Sequence, residues 1–248
     1  MNTKSFSLFR DYEIKCRLYY TDNERPETVV VGVHGFAGDK DSSMLKKLAK
    51  AVTKEGGALI CFDFPCHGKS TAAEDMLTSK NCIEDLIFVC RYAENEYKGC
   101  KKALFATSYG GYISLLAASE LSDFHYVLRA PAVTMPRILL ETVLKISREN
   151  FMKEKTVTCG FDRKMELPFS FCLDLEGCPE AKDAPLKRSF LVIHGDCDDI
   201  VPPDDVLDFC RCQPNAVLEI IKGADHRFKN PGEIDTVIEK TMEFLKNK

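Results

Sequence analysis

Apolar and polar positions along this chain switch repeatedly between two periods. Six short, almost wholly apolar runs stand out: Val29–Val33, Ala58–Phe62, Ala103–Ala106, Tyr126–Ala130, Phe190–Ile193 and Val217–Ile221. Strands covered on both faces read this way, whereas half-exposed strands alternate. Two earlier runs, Phe6–Phe9 and Ile14–Tyr20, flank Arg10-Asp11-Tyr12 and read as an opening antiparallel pair. Between the later runs the period lengthens. Leu45, Leu48, Ala49 and Val52 fall at i, i+3, i+4 and i+7, with Asp41 and Ser42 as cap candidates. Ile83, Leu86, Ile87 and Cys90 repeat that spacing, and Ile234, Val237, Ile238 and Met242 do so after Asn230-Pro231, a good helix start. Strands alternating with helices predict right-handed crossovers and a mostly parallel sheet, an α/β protein.

One connection is too long for a crossover. Pro131 to Arg188 spans 58 residues, where a helical crossover needs only ~10–15. This predicts an insertion, residues 131–188, in a single domain spanning 1–248. Pro136–Asn150 carries helical spacing at Leu139, Val143 and Ile146. Pro168–Glu176 alternates, with Phe169, Phe171, Leu173 and Leu175 on one face, which predicts a strand paired with Thr156–Cys159 across a Gly-Phe-Asp turn.

Composition narrows the class. Hydrophobic residues make up 45% of the 248 and charged residues 29%, enough apolar surface for a core. The formal charge of −4 argues against nucleic acid as a partner, because phosphate binding needs concentrated Lys and Arg. No apolar run approaches the ~18–20 residues of a membrane span. The opening Met-Asn-Thr-Lys-Ser-Phe carries no apolar stretch of signal-peptide type, so a cytoplasmic protein is expected. The twelve cysteines form no CxxC pair, and several sit inside apolar runs. They read as free thiols rather than as a disulfide or zinc framework.

Four strand ends carry candidate chemistry. Ala106-Thr107-Ser108-Tyr109-Gly110-Gly111 follows one apolar strand and opens an apolar helix over Tyr112–Leu121. A sharp strand–Ser–helix turn exposes a hydroxyl and needs small residues two before and two after it, here Ala106 and Gly110. The helix N-terminus places the Tyr109 N–H beside a developing oxyanion. An ordinary Gly-rich turn reads the same way. His34-Gly35-Phe36 follows Val29–Val33, and its Phe36 N–H is the candidate second oxyanion donor; His34 itself reads as structural. Ile193-His194-Gly195-Asp196-Cys197-Asp198-Asp199 offers three acids, and spacing alone does not choose among Asp196, Asp198 and Asp199. His226, in Gly223-Ala224-Asp225-His226-Arg227-Phe228, is the only histidine after both the serine and the acids. The order Ser, Asp, His, each after its own strand, is what links them.

Together these sites resemble the α/β-hydrolase superfamily over nearly the whole chain. Asp63-Phe64-Pro65-Cys66-His67-Gly68-Lys69-Ser70 is similar to the D-x-x-G-H-G-x-S turn of that superfamily, with Cys66 in place of Gly. The resemblance implies an eight-stranded, mostly parallel sheet flanked by helices, with a helix-plus-hairpin cap after the sixth strand. Its H-G-x-x-D-x-x-V-P pattern selects Asp198, so the implied triad is Ser108, Asp198 and His226, with the Phe36 and Tyr109 N–H groups as the oxyanion hole. The closest resemblance is to cytoplasmic cinnamoyl (feruloyl) esterases and to serine aminopeptidase-like and monoglyceride-lipase-like hydrolases. Their serine motif reads Gly-His-Ser-x-Gly where this chain has Ala-Thr-Ser-Tyr-Gly.

The expected reaction is hydrolysis of a small-molecule ester, with hydroxycinnamoyl esters one option, through an acyl-enzyme and with neither metal nor organic cofactor. An aminopeptidase or amidase on the same triad, and a non-catalytic binding protein, are the alternatives. A homodimer is left open. Met135, Ile138, Leu139, Phe151, Phe161, Phe169 and Phe171 are candidates to line an acyl pocket, or else to hold the cap in place; Tyr109 is a candidate to touch the acyl group.

Overall fold

A computed structural model describes residues 1–22, 25–160 and 164–248. Strand β1 (Asn2–Phe9) pairs antiparallel with β2 (Glu13–Tyr20), Phe6 opposite Cys16. The parallel strands follow as β3 (Thr28–Val33), β4 (Ala58–Phe62), β5 (Lys101–Thr107), β6 (His125–Arg129), β9 (Phe190–Gly195) and β10 (Ala216–Ile221). Their order across the sheet is β1-β2-β4-β3-β5-β6-β9-β10, with the β2–β4 contact antiparallel and the rest beyond it parallel. This is the α/β-hydrolase arrangement.

Helices cover both faces, which is why the central strands lack a polar side. Leu45, Leu48 and Val52 of α1 (Ser43–Lys54) and Val237 and Leu245 of α7 (Glu233–Lys246) bury Val30, Leu59 and Phe105. Leu86 and Val89 of α2 (Ser79–Glu96), Tyr112 and Ile113 of α3 (Tyr109–Leu116) and Val206 and Phe209 of α6 (Pro203–Cys212) bury Val29, Val31 and Leu104. Adjacent residues of one strand thus serve opposite layers, the period-two rule in a fully covered sheet. Ser42 caps α1, its Oγ accepting from the Leu45 N–H at 3.4 Å. At the other end of the chain Glu233 accepts from the Asn230 N–H at 3.0 Å, closing the turn before α7. Helix α3 begins at Tyr109, three residues before the expected start, because the Ser108 carbonyl already accepts from the Tyr112 N–H.

The segment between β6 and β9 departs from expectation in two ways. The helical stretch expected over Pro136–Asn150 is split. A wide π-helical turn, Leu139–Leu144, ends at Lys145 with φ +51°, and α4 (Arg148–Glu154) restarts with Ser147 as its cap. The strand expected over Pro168–Glu176 is instead helix α5 (Phe169–Glu176). Strand β7 (Thr156–Cys159) does form a hairpin, but with β8 (Met165–Pro168), Thr156 opposite Pro168. Of the turn expected between them, Phe161 and Asp162 lie outside the described residues. Burial explains the helix: Phe171, Cys172 and Leu175, at i, i+1 and i+4, face inward, while Leu173 is 47% exposed. A short apolar run satisfies both periods, and tertiary burial decided between them.

This segment shares the core of the sheet. Phe151, Leu167 and Phe171 belong to the same buried cluster as Leu104 and Ile113. Asp174 accepts from the Ser79 N–H at 2.6 Å, tying α5 to the first turn of α2. Arg148 forms a two-pronged pair with Glu176 at 2.6 and 2.9 Å. Phe151 is fully buried against Phe169, ring centres 5.3 Å apart. Truncation to Ala leaves a cavity in a shared core, so Phe151→Ala is expected to cost ~3–5 kcal/mol. The measurement is urea unfolding, with the loss appearing in a single transition; an early separate transition would mean that the segment melts alone.

Candidate active site

Strand β5 ends in a turn that only a short list of residues permits. Ser108 sits at φ +50°, ψ −118°, a conformation costly for any residue with a side chain. Its N–H donates to the Arg129 carbonyl at 3.0 Å, and its carbonyl accepts from the Tyr112 and Ala132 N–H groups at 3.1 Å each. Two residues on, a Cβ at Gly110 would lie 2.4 Å from the His34 carbonyl, so no larger residue fits there unless backbone moves. The end of β3 and the start of α3 therefore touch directly.

That contact brings two peptide groups together. The Gly35 carbonyl accepts from the Gly38 N–H at 3.0 Å and lies 2.8 Å from His34 Nδ1. Carbonyl and N–H of a trans peptide point opposite ways, so the Phe36 N–H turns away from those partners. The same reasoning turns the Tyr109 N–H away from the bonds made by the Ser108 carbonyl. Among the described residues neither N–H has a hydrogen-bond partner.

The loops after β9 and β10 supply the other groups. A Cβ at Gly195 would stand 2.2 Å from the Ala224 carbonyl, so these loops also run in backbone contact. His226 Nε2 lies 3.0 Å from Ser108 Oγ, and its Nδ1 lies 2.8 Å from Asp198 Oδ2. Asp198 Oδ1 accepts from the Ile200 and Val201 N–H groups at 2.9 and 2.8 Å. Burial would raise the Asp198 carboxyl, but bonds from His226 and the Val201 N–H outweigh it and hold the group below its ordinary range. The other two acids are exposed: Asp199 faces solvent, and Asp196 accepts from the Gly223 N–H at 2.5 Å, bracing the two loops. Of the three acids only Asp198 meets the imidazole.

Three further residues were not read from the sequence as parts of this site. His194 is fully buried beside the acid, Nε2 3.6 Å from Asp198 Oδ2 and 3.1 Å from the Val201 carbonyl; burial lowers it toward the neutral form. Lys40 is buried against Asp63 at 2.6 Å, and Asp63 also accepts from the Lys40 and Lys69 N–H groups. This hub pins the loop after Phe36 and uses the Asp63–Ser70 motif. Arg129, at the end of β6, donates to the His226 carbonyl at 2.9 Å and lies 4.5 Å over the Phe228 ring. A buried cation at a strand's end carries no local sequence signal.

A cavity of about 250 Å³ opens over Ser108, lined by Phe36, Met44, Val143, Ile200 and Ile234 beside Arg129 and His226. The inserted segment contributes Val143 and Gly160. The described aromatic residues among those considered for the acyl pocket, Phe151, Phe169 and Phe171, do not line it. Phe151 and Phe171 are fully buried, as are Ile138 and Leu139, and Phe169 packs on Phe151. They hold the segment to the sheet. Phe161 lies outside the described residues. Met135 lines a larger cavity, about 510 Å³, between the segment and α6, which reaches none of Ser108, Asp198 and His226. The Tyr109 side chain is buried against Phe36, Phe64 and Phe171 and does not line the cavity over Ser108.

Among the described residues no two cysteines are joined in a disulfide. Burial pushes Cys16 up to about 12 and Cys159 to about 11, so these thiols stay protonated. Among the described residues no cluster of His, Cys, Asp and Glu is placed to hold a metal, and no helix is long and apolar enough to cross a membrane.

The profile of the family Hydrolase_4 (serine aminopeptidase, S33) matches residues 24–167, more than half of the chain. No curated protein matches it. Among solved structures, Est1E from Butyrivibrio proteoclasticus with ferulic acid bound is similar at 22% identity and a TM-score of 0.84, covering 98% of each chain. Alpha/beta hydrolase domain-containing protein 10 from mouse is similar at 17% identity and a TM-score of 0.78, covering 98% of this chain and 99% of its own. The a/b serine hydrolase XC6422 from Xanthomonas campestris, reported without a lid, is similar at 18% and 0.68, covering 96% and 94%.

The contact at Gly110 can be tested directly. Gly110→Ala must push the His34 carbonyl away, and such overpacking costs ~1–3 kcal/mol. A displacement near 1 Å at the serine costs ~10²-fold in reactivity. The expected result is a lower midpoint in thermal unfolding together with fluorophosphonate labelling slowed by about that factor.

Proposed function

We propose that this chain, which belongs to the serine aminopeptidase, S33 (Hydrolase_4) family of α/β hydrolases, hydrolyses small carboxylic esters through an acyl-enzyme. The reading rests on one observation above all: an unbroken relay from Ser108 Oγ through His226 to a buried, doubly hydrogen-bonded Asp198. Ser108 attacks the ester carbonyl while His226 Nε2 takes its proton. Asp198 holds the imidazole so that Nδ1 carries the hydrogen and Nε2 is free to accept. The Phe36 and Tyr109 N–H groups receive the oxyanion; a donor in that role is worth ~2.7–4 kcal/mol of transition-state stabilisation. His226 then protonates the leaving alcohol and later draws a proton from the water that releases the acid. Residues 131–188 act as a fixed cap that narrows the approach.

Two features favour an ester over an aminopeptide. Among the described residues lining the cavity over Ser108 none is Asp or Glu, so none of these residues would anchor a substrate α-amine. Five acids of the inserted segment, Glu141, Glu149, Glu166, Asp174 and Glu176, are also absent from its lining. A volume of about 250 Å³ is below the ~300–1,000 Å³ of drug-sized sites, which suits one short or aromatic acyl group. Est1E holds ferulic acid, and a hydroxycinnamoyl ester is the substrate we put first.

The test is hydrolysis of p-nitrophenyl acetate, butyrate and octanoate, methyl ferulate and an aminoacyl-p-nitroanilide by wild type and variants. Ester turnover is expected to fall ~10⁴–10⁶-fold in Ser108→Ala and ~10³–10⁴-fold in Asp198→Asn, which disturbs the tautomer. Asp196→Asn keeps a carbonyl acceptor for Gly223 and is expected to stay within roughly twofold, as for an exposed position. Anilide cleavage without ester turnover would move the assignment to the peptidase, and silence on all five with no fluorophosphonate labelling would move it to a binding protein.

A further inference from the structure

The cavity over Ser108 carries charge of one sign. Arg129 and Arg227 line it, and among the described residues no carboxylate does. Arg129 is only 8% exposed, yet most of its donors are unengaged. Nη2 donates to the His226 carbonyl at 2.9 Å. Nε is sealed off with no partner. Nη1 also lacks a partner among the described residues, but it is not sealed off. Nearby carboxylates are engaged elsewhere: Asp198 meets His226 and two N–H groups, and Asp225 pairs with Lys229 at 2.9 Å. Burial draws the guanidinium down to about 10, which leaves it charged at neutral pH. A buried cation without a counter-ion is expensive, and the Phe228 ring at 4.5 Å offsets part of that cost.

A second set of donors faces the same cavity. Ser42, Ser43 and Met44, at the start of α1, line it. The Leu45 N–H is satisfied by Ser42 Oγ, while the Ser43 and Met44 N–H groups have no partner among the described residues. The first turn of α1 holds no acidic residue. The start of a helix favours a negative group. A half-engaged guanidinium and an open helix end thus ask for the same ligand chemistry.

Resting on the esterase reading above, we propose that the alcohol half of the substrate carries a carboxylate, bound by Arg129 beside the start of α1, so that the chain cleaves esters of hydroxy acids. His226 fixes which half. Its Nε2 must reach the leaving oxygen to protonate it. The alcohol half therefore lies on the histidine side, where Arg129 holds the His226 carbonyl and Arg227 is the next residue. Phe36, Val143 and Ile200 are left to the acyl half. The planar fork of a guanidinium matches the two oxygens of a carboxylate. The bonds are those of ester hydrolysis: the acyl C–O bond opens, His226 gives its proton to the departing oxygen, and a hydroxy carboxylate leaves.

The experiment compares butyryl esters of glycolate and 4-hydroxybenzoate with those of glycolamide and 4-hydroxybenzamide, which keep the shape without the charge. In at least one pair, wild type should favour the carboxylate by ~10-fold or more in kcat/KM, as for a charge-assisted hydrogen bond. That ratio should fall to near one in Arg129→Gln, and part of it should survive in Arg129→Lys, which keeps the charge. A packing role would slow both members of a pair together and leave the ratio alone. Ser43→Asp, at an exposed helix start that tolerates an acid, places a like charge in the lining and should also lower the ratio; it decides if Arg129→Gln does not fold. No preference in wild type, or a ratio unmoved by these variants, would overturn the proposal. So would a preference seen only with the carboxylate in the acyl half, in mono-p-nitrophenyl glutarate against p-nitrophenyl butyrate. Calorimetry of the same pairs on Ser108→Ala reads the preference without catalysis. If the esterase reading fails, wild type cleaves none of these esters, and the binding difference still decides whether the cavity takes a carboxylate.

Discussion

Two stretches of backbone meet at Gly110 with no room for a side chain between them, and the site is assembled around that meeting. Parallel pairing puts the ends of β3 and β5 side by side, Val33 opposite Ala106. The chain must then reverse sharply at Ser108 to enter α3, which it does at φ +50°. Such a turn costs ~1–3 kcal/mol and survives only where its surroundings over-determine it. Here they do: the Ser108 N–H and carbonyl are both taken, by Arg129 and by Tyr112 and Ala132. With the Ser108 and Gly35 carbonyls bonded inward, the N–H groups of Tyr109 and Phe36 have no partner among the described residues.

Charge is distributed sparingly around that centre. Asp198 is buried but satisfied by two N–H groups and an imidazole, so it remains an anion without solvent. His34 and His194 are buried and lowered toward neutrality, each tied to backbone, and serve as spacers. Arg129 is a full charge with no ion-pair carboxylate among the described residues, and Lys40 with Asp63 is a full pair that holds the loop after Phe36. These groups decide where the loops rest. The inserted segment then closes the cavity from above with Val143 and Gly160, while its aromatic residues face down into the core of the sheet. Its attachment at Ser79–Asp174 and through Phe151 and Phe171 in the core argues for a pocket shaped by the segment rather than opened by it.

Much of this was legible along the chain. Strand runs such as Val29–Val33 and Ala58–Phe62 coincide with β3 and β4 almost residue for residue. They could be read because full coverage by helices makes both faces of a strand apolar. The Ser108 turn was legible because its sterics demand small residues at fixed offsets. Pro168–Glu176 was misread because Phe169, Phe171, Leu173 and Leu175 fit a strand, while the burial that makes α5 involves Phe171, Cys172 and Leu175 against distant residues. The pocket candidates stayed open between two roles for the same reason: an aromatic residue in an insertion looks alike whether it faces a ligand or a core.

Periodicity, small-residue spacing and chain order are properties of neighbours within a few positions, and so the sequence by itself determined the α/β alternation, the insertion and the succession of Ser108, the acid loop and His226. Spacing within this chain left three acids open and only the superfamily resemblance pointed to Asp198; tertiary structure is what turns Asp198 inward and leaves Asp196 and Asp199 exposed. It alone brought Arg129 under a residue 97 positions away, and His226 to a serine 118 positions away. Burial and partnership across such separations depend on how the sheet stacks its strands, which no local pattern encodes.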